Sequence, residues 1–511
     1  MSMDVPHLIT KMATLQRGAA LFVLAWLLVQ VLARTPFLNA PLQRFSRAVT
    51  PMLPWWLLAC AVLYAGAYLA YPTHADHVEA SVLVLGEHVR RGLPLYPTDL
   101  GYTMDGLLYG PLLAVLNALV LSLSIDAFLG SKLLALASTV VAVGLCATQL
   151  RDRCALLYLG FLGAFDLLFF NRAEPHLLLL TALACRCMGM SDAGRRAWLL
   201  GLLAGLAASL KVHGVLYIAA VYLWAQPDGL RRPALLLRVA AGALVTALPW
   251  FLLPGISLPG YLHFLKLASL HGIEPRILLD NGIFLLALWL PLLVLRCPWR
   301  SVLGIAALEL LVAVLGAKKG AGCWHLLPFV VLHAHMLDAL LSQRSPANRH
   351  PRAELMALLP MLSLAMSTAF ALAPGIRHHL QQRDDIAQAR VALRELASSH
   401  PGLVLATGAE QGYELSYLRI DLEQLGVRQI DVPAFIDLQW AGVQDAPLAE
   451  ALGQCRIPHL AVPRGEPAFA NLSGYSGRPL FSDAVRLAFA ARFVRVVQTA
   501  HFDLYRCQAP T

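Results

Sequence analysis

About a dozen apolar runs, separated by short polar stretches, fill the chain from Ala19 to Ala373. A bilayer core needs about 20 apolar residues per helix, with about 17 as the short limit. The candidates are Ala19–Ala33, Met52–Ala70, Leu129–Leu150, Cys154–Phe170, Pro175–Met190, Ala197–Leu210, a short Val215–Ala225, Ala234–Leu253, Leu279–Leu295, Val302–Ala317, Trp324–Leu341 and Leu355–Ala373. Only 14% of the residues are charged, and the mean hydropathy is +0.62. A soluble domain is about a quarter charged, so a soluble fold is excluded. The sequence predicts an all-α polytopic membrane protein with about 12 transmembrane helices and further interfacial helices. A small C-terminal α/β soluble domain follows. Ala19–Ala33 has no small-residue cleavage site after it, so it reads as an uncleaved segment.

Leu107–Ser124 is long enough to span, yet Gly110-Pro111, Asn117 and two serines also fit an interfacial helix. Basic residues decide between the two, because cytoplasmic loops collect them. With the segment left out of the span count, one side holds Arg151, Arg153, Arg195, Arg196, Arg231, Arg232, Arg296, Arg300, Arg344, Arg349 and Arg352. The other holds Arg90, Arg91, Arg172, Lys211, Lys266, Arg276, Lys318 and Lys319. The first set is the cytoplasmic one, which sends the loop after Ala70 and the C-terminal domain to the periplasm. The net charge of +9 rests on 34 Arg against 6 Lys. No basic tract or aromatic array accompanies it, so no nucleic-acid partner is expected. Five of those lysines (Lys132, Lys211, Lys266, Lys318 and Lys319) fall at outward helix ends, where a compact ammonium suits a lipid phosphate. Snorkelling to the headgroups is the ordinary alternative. The settings ASLKVHG around Lys211 and GAKKGAGCWHLLPF around the pair favour phosphate binding.

The longest polar interval before residue 370 is Tyr71–Pro111, YPTHADHVEASVLVLGEHVRRGLPLYPTDLGYTMDGLLYGP. Asp76, His77 and Glu79 open it, and Val78, Val82, Leu85 and Val89 then mark one face of an amphipathic helix. Asp76-x-x-Glu79 is also a capping box, whose only duty would be to start that helix. Of the polar residues inside apolar runs, Glu309 is the most costly, and a structural contact with a histidine of the next helix, His333 or His335, would account for it. Asp166 and Arg186 read the same way. His263 and Lys266, three apart, mark an outer interfacial helix. The nine cysteines form no CxxC pair, and Cys185-x-Cys187 is too close for a metal knuckle, so no metal is expected.

Pro374-Gly375 and IRHHLQQRDD read as a linker into the C-terminal domain. Helices are predicted near Ile386–Ala397, Tyr413–Leu425 and Asp483–Ala490, with strands near Leu403–Ala406, Ile457–Val462, Phe493–Gln498 and Phe502–Tyr505. Thr407-Gly408-Ala409 is a weak phosphate-loop signal, lacking further glycines and a basic residue. Cys455 and Cys507 flank predicted strands in an oxidising compartment, and whether they pair stays open.

The order of these pieces resembles a known family. An acidic residue opens the first outward loop, an interfacial helix ends in GLPLYP, and YGPL starts the next apolar run. NRAEPHLLLL, SLKVHG and KKGAGCWHLLPF follow. Over Pro51–Ala373 the chain resembles the GT-C superfamily of integral-membrane glycosyltransferases, within it the branch of protein O-mannosyltransferases and the lipid A aminoarabinose transferase. The resemblance implies a polyprenyl-phosphate-linked sugar as donor, an outward-facing cavity, and inverting transfer without a nucleotide. It implies that Asp76 is the general base and that Glu174 matches the second acidic position. Relatives often carry Asp-Glu where this chain has Asp76-His77, which leaves open whether His77 or Glu79 assists. Tyr109, in the YGPL piece, is a third auxiliary candidate.

The chemistry agrees from below. One carboxylate takes the acceptor proton while a phosphate, already a stable anion, departs. Cations then do the work of a general acid. Lys211, Lys318, Lys319, Arg172 and His325 are the candidates to hold that phosphate, and no metal or other cofactor is required. His325 has a second reading as a hydrogen bond at its helix start, and Glu174, directly before Pro175, as a helix-dipole partner. Expected partners are the polyprenyl-phosphate sugar, an envelope lipid, glycan or protein acceptor, and membrane lipids. The site is the inner membrane of a bacterium, with residues 1–374 as the catalytic domain and 375–511 in the periplasm. A transporter or flippase of lipid-linked sugars would place ionisable groups at the midplane of broken helices. An O-antigen polymerase or ligase would lead with arginines in large late loops.

Overall fold

A computed structural model describes residues 41, 44, 48, 52–106, 109–163, 166–295, 297–342, 351–409, 414–473 and 476–508. The apolar run Ala19–Ala33 lies outside the described residues. Most of the runs form helices: α1 (Leu53–Ala70), α2 (His77–Arg90), α3 (Pro111–Leu121), α4 (Ala127–Gln149), α5 (Ala173–Cys187), α6 (Ala193–Leu210), α7 (Gly214–Ala225) and α8 (Pro233–Ala247). Then come α9 (Leu258–Ser269), α10 (Pro275–Val294), α11 (Trp299–Leu315), α12 (Leu327–Ser342) and the long α13 (Pro351–Ser399). Four stretches among the described residues are both long and apolar enough to cross a membrane: Ala127–Gln149, Pro233–Leu252, Pro275–Leu293 and Cys323–Ser342. Others, such as Trp55–Ala70 and Val302–Leu315, are apolar but shorter. The expected dozen spans thus becomes a bundle of unequal helices.

Three expectations need correcting. Cys154–Phe170 is not one span: it breaks into Arg153–Tyr158, Gly160–Gly163 and a 3-10 turn at Asp166–Leu168. Its glycines weaken a helix, and Asp166 opens a new turn. The expected linker is not a linker in conformation, because α13 runs through Pro374 and Gly375 without a break. A Cβ on Gly375 would lie 2.8 Å from the Tyr64 ring, so the glycine serves close packing of α13 on α1. The expected helix Tyr413–Leu425 is a 3-10 turn, Glu414–Leu418, followed by a short helix, Arg419–Glu423.

Within the segment Leu107–Ser124, α3 has 11 residues. At 1.5 Å per residue it reaches about 17 Å, short of a hydrocarbon core of about 30 Å. It packs along α2 instead. In α9, His263 and Lys266 are exposed while Tyr261 and Phe264 are buried, the expected amphipathic division.

The C-terminal unit is a four-stranded sheet in the order β1 (Leu403–Leu405), β2 (His459–Pro463), β4 (Phe502–Cys507), β3 (Phe493–Gln498). β1 and β2 are parallel, and β4 is antiparallel to both its neighbours. All four strands match the predicted positions. Helices α14 (Val432–Trp440), α15 (Ala446–Gly453) and α16 (Asp483–Arg492) complete the unit, the first two unpredicted. Cys455 and Cys507 form a disulfide with Cα atoms 5.6 Å apart. At Thr407-Gly408-Ala409 the Ala409 N–H donates to Glu466 Oε2 at 2.6 Å, so a carboxylate fills the turn where a phosphate would sit.

Bundle and sheet interlock. Ala434 and Leu438 of α14 belong to the bundle's apolar core, while Met104 of the α2–α3 loop belongs to the sheet's. Buried Arg419 donates to Ser81 of α2 at 2.8 Å and pairs with Asp431 at 2.7 Å. The C-terminal unit therefore sits directly on α2, the helix that Asp76 begins.

Candidate active site

Three helix ends meet under the C-terminal unit and deliver four charges, and a fourth element brings a histidine. Asp76 is the N-cap of α2, Arg172 the N-cap of α5 with Glu174 in its first turn, and Lys211 the C-cap of α6. A carboxylate at a helix start and an ammonium at a helix end both suit the helix dipole. His325 arrives on the 3-10 turn Cys323–Leu326 before α12. Asp76, Arg172, Glu174 and Lys211 are each buried to below a tenth of their surface, so every charge must be matched locally.

The matching runs as an alternating row. His77 Nδ1 lies 2.9 Å from Asp76 Oδ1, and Arg172 pairs through Nη1 with Asp76 Oδ2. Arg172 Nε lies 3.5 Å from Glu174 Oε2, and Lys211 Nζ lies 2.6 Å from Glu174 Oε1. His325 Nδ1 stands 4.0 Å from the same oxygen. Tyr109 closes one side: its hydroxyl accepts from Arg172 Nη2 at 3.3 Å, and its ring lies 4.5 Å from Lys211 Nζ. Gly110 makes that approach possible, since its N–H donates to Leu210 O at 2.9 Å and a Cβ would lie 2.2 Å from Ser209 O. The row is not closed on itself. Among the described residues, Arg172 Nε, Glu174 Oε2, His325 Nδ1 and His213 Nε2 are buried without a hydrogen-bond partner, the first two facing each other only as the 3.5 Å ion pair.

At Asp76 the cap geometry and the contacts to charged neighbours occur together. Asp76 and Glu79 form the expected capping box at the start of α2, and the two Asp76 oxygens also reach His77 and Arg172. Glu79, fully buried, does the fastening. Its Oε2 accepts the N–H groups of Ala75 and Asp76, each at 3.1 Å, and its Oε1 accepts Asn171 N–H at 2.7 Å and the Tyr68 hydroxyl. One carboxylate thus ties the Asp76 loop to the residue preceding Arg172. Burial alone would raise the Asp76 carboxyl, but Arg172 and His77 outweigh it and hold Asp76 well below the usual carboxylate range. Burial, then the charge of Asp76, push Glu79 the other way, up to about 7. The hydrogen bonds from Tyr68 and Asn171 oppose that rise, and of the two carboxyls Asp76 is the more readily ionised.

Of the sequence candidates, Asp76, His77, Glu79, Tyr109, Arg172, Glu174, Lys211 and His325 come together. Lys318 and Lys319 make their direct contacts elsewhere, although the charge of Lys318 still acts on His213 and His325. Lys318 Nζ donates to Ala268 O at 2.7 Å, and Lys319 Nζ lies 3.7 Å from the Trp440 ring of the C-terminal unit. Lys132 caps α1, donating to Tyr68 O at 2.8 Å and Tyr71 O at 2.6 Å. The lysine pattern therefore mixes one site residue with several fasteners. Sequence reasoning missed His213, whose ring is 5.2 Å from that of His325, although it sits in the SLKVHG piece. It also missed Asp437 of α14, whose charge acts on His77; no local signal marks it.

Neither a protein-family model nor a curated protein sequence matches the chain. The crystal structure of ArnT from Cupriavidus metallidurans bound to undecaprenyl phosphate does match, with a TM-score of 0.53 over 89% of this chain and 98% of that one, at 14% identity. The chain has the fold of ArnT. The likeness is one of fold, and at 89% coverage it takes in the C-terminal unit as well as the bundle. The mostly helical bundle with a small C-terminal α/β unit, expected from the sequence, is the architecture found.

Proposed function

We propose that this chain is a membrane glycosyltransferase that moves a sugar, with inversion, from a polyprenyl-phosphate carrier to a hydroxyl of an envelope lipid, glycan or protein. The observation that carries the reading is the buried row Asp76–Arg172–Glu174–Lys211, unclosed at several polar atoms, in a fold whose ArnT example was crystallised with undecaprenyl phosphate. Arg172 offers a planar fork and Lys211 a point charge, the two ways a protein holds a phosphate. Glu174 orients both, and His325 stands beside it. Asp76 takes the acceptor proton, with His77 fixing one of its oxygens. Lys318 and Lys319 fall outside this grip in the present reading: they fasten outer loops and the C-terminal unit.

The reading places the protein in a bacterial inner membrane, with the cluster and the C-terminal unit facing the periplasm. The arginine bias supports that orientation, and so does the Cys455–Cys507 disulfide, a bond of oxidising compartments. The test is equilibrium binding of undecaprenyl phosphate to the full-length protein. Lys211→Ala should weaken it by about 1.5–3 kcal/mol, roughly 10- to 150-fold. An affinity unchanged in that variant would take phosphate binding away from this row.

A further inference from the structure

The resting row contains a conflict. Asp76 is the residue best placed to take a proton, yet one of its two oxygens is held by Arg172. A carboxylate locked to a guanidinium in a buried setting is a poor base, because accepting a proton strands the cation. Arg172 is likewise the fork best placed for a phosphate, yet its Nη1 is spent on Asp76 and its Nη2 on Tyr109. Neither group is ready for its task while they hold each other.

We infer that the donor phosphate and Asp76 compete for Arg172, so that binding the donor releases Asp76 and arms it as the base. This rests on the glycosyltransferase reading above. The geometry supplies the means. Arg172 Nε makes no hydrogen bond, and Glu174 Oε2, 3.5 Å away, marks the direction in which the fork can turn. Lys211 pairs with the other oxygen of Glu174, so a phosphate gripped by both Arg172 and Lys211 draws the guanidinium toward Glu174 and away from Asp76. His77 stays on Asp76 Oδ1 and keeps the carboxylate aimed, while Glu79 holds the backbone at Asp76 and Asn171 in place throughout. The groups facing Asp76 are His77 on its own helix, Glu79 one turn on, and Arg172 at the start of α5. Tyr109 reaches Arg172, and Asp437 of α14 acts on His77. Arg172 is thus the cation whose departure frees Asp76. The low affinity of Asp76 for a proton, caused by Arg172 and His77 against the opposing effect of burial, is that lock seen from the proton's side.

The armed step balances. The acceptor O–H proton passes to Asp76 Oδ2, and the acceptor oxygen bonds to the anomeric carbon. The bond from that carbon to the phosphate oxygen breaks, with its electron pair leaving on the polyprenyl phosphate. Arg172 and Lys211 then face the added negative charge. An acceptor cannot be deprotonated ahead of donor binding, which also disfavours idle chemistry in an empty site.

The inference makes an unusual demand: removing the charge of the base should tighten binding of the donor's lipid phosphate. With undecaprenyl phosphate as the probe and the full-length protein in nanodiscs, Asp76→Asn should bind about tenfold or more tightly than the parent chain, since a freed charged hydrogen bond is worth at least that factor. Asp76→Ser, which also keeps an N-cap side chain, should do the same and guards against a folding defect peculiar to one variant. In an Arg172→Ala background the gain should vanish, leaving affinities within about twofold of each other by the double-mutant logic. Equal or weaker binding in Asp76→Asn and Asp76→Ser overturns the inference. Tightening that persists without Arg172 also overturns it, as plain relief of charge repulsion. The parent chain binding undecaprenyl phosphate, and losing affinity in Lys211→Ala, belongs to the underlying reading and is scored separately. Absence of binding in the parent chain removes both.

Discussion

Two of the buried polar clusters among the described residues are built on opposite plans. In the first, Glu309 Oε1 meets His333 Nε2 at 2.6 Å, its Oε2 accepts from Trp289, and His333 Nδ1 lies 3.2 Å from Leu288 O. Tyr158 donates to the same Leu288 carbonyl at 2.7 Å. Both carboxylate oxygens and both ring nitrogens are used. In the second, around Arg172 and Glu174, four charges alternate and several polar atoms are left without a hydrogen bond. A buried network that closes on itself fixes packing, here of α10, α11 and α12. One that leaves capacity unspent at the junction of three helix ends is poised to bind something. Both are buried, and they differ in how many charges they gather and how fully those are hydrogen-bonded.

Breaking the closed cluster should cost stability and little else. His333→Ala leaves an oxygen of buried Glu309 without its partner and should destabilise the folded protein by about 3–5 kcal/mol, read as a lower midpoint of thermal unfolding in detergent. Undecaprenyl phosphate affinity of the remaining folded fraction should not move. If the affinity fell and the midpoint held, the two clusters would have to exchange roles.

Glu79 belongs to the open cluster but behaves like a member of the closed one, and Glu79→Gln sharpens the contrast. An amide keeps one acceptor oxygen and turns the other into a donor, facing either the two loop N–H groups or Asn171 and Tyr68. The cost should be about 1–3 kcal/mol of stability. Transfer should fall with it, because Asp76 and Arg172 lose their common anchor. Full activity at unchanged stability would reduce Glu79 to the capping role that its spacing suggests.

The smallest effect concerns the outer lysines. Lys319→Ala removes a cation from the face of Trp440 and should cost about 0.5–1 kcal/mol, with lipid-phosphate affinity unchanged. A large loss of that affinity would return Lys319 to the phosphate grip.

Much of this arrangement was legible in the sequence, and the parts that were not share a reason. Apolar runs gave the helices, alternation and turn residues gave all four strands, and the cost of a carboxylate inside an apolar run pointed Glu309 to a histidine. Pro374-Gly375 reads as a stop, but the helix continues because the glycine nests against Tyr64, a partner some 300 residues away. Helix α14 is nine residues long with a proline at its start, too short for a periodic signal to stand out. At Asp76 the spacing to Glu79 could not tell base from cap. The contacts that bear on it come from far along the chain: Arg172, 96 residues on, takes up the carboxylate, and Asn171 takes up Glu79. The lysines at helix ends share one local signature, yet Lys211 found a carboxylate, Lys132 and Lys318 found carbonyls, and Lys319 found an indole.

The most direct test of the central claim is transfer of a labelled sugar from its polyprenyl-phosphate carrier to a membrane extract of the host, comparing the parent chain with Asp76→Asn. Asparagine starts a helix about as well as aspartate, so the fold should persist, although buried Arg172 loses its partner and the thermal midpoint should fall; transfer is therefore compared per folded protein. A neutral amide accepts no proton near pH 7, so transfer should fall by about a hundredfold or more while the lipid phosphate still binds. Near-normal turnover in Asp76→Asn would remove this residue from the chemistry and contradict the account at its centre.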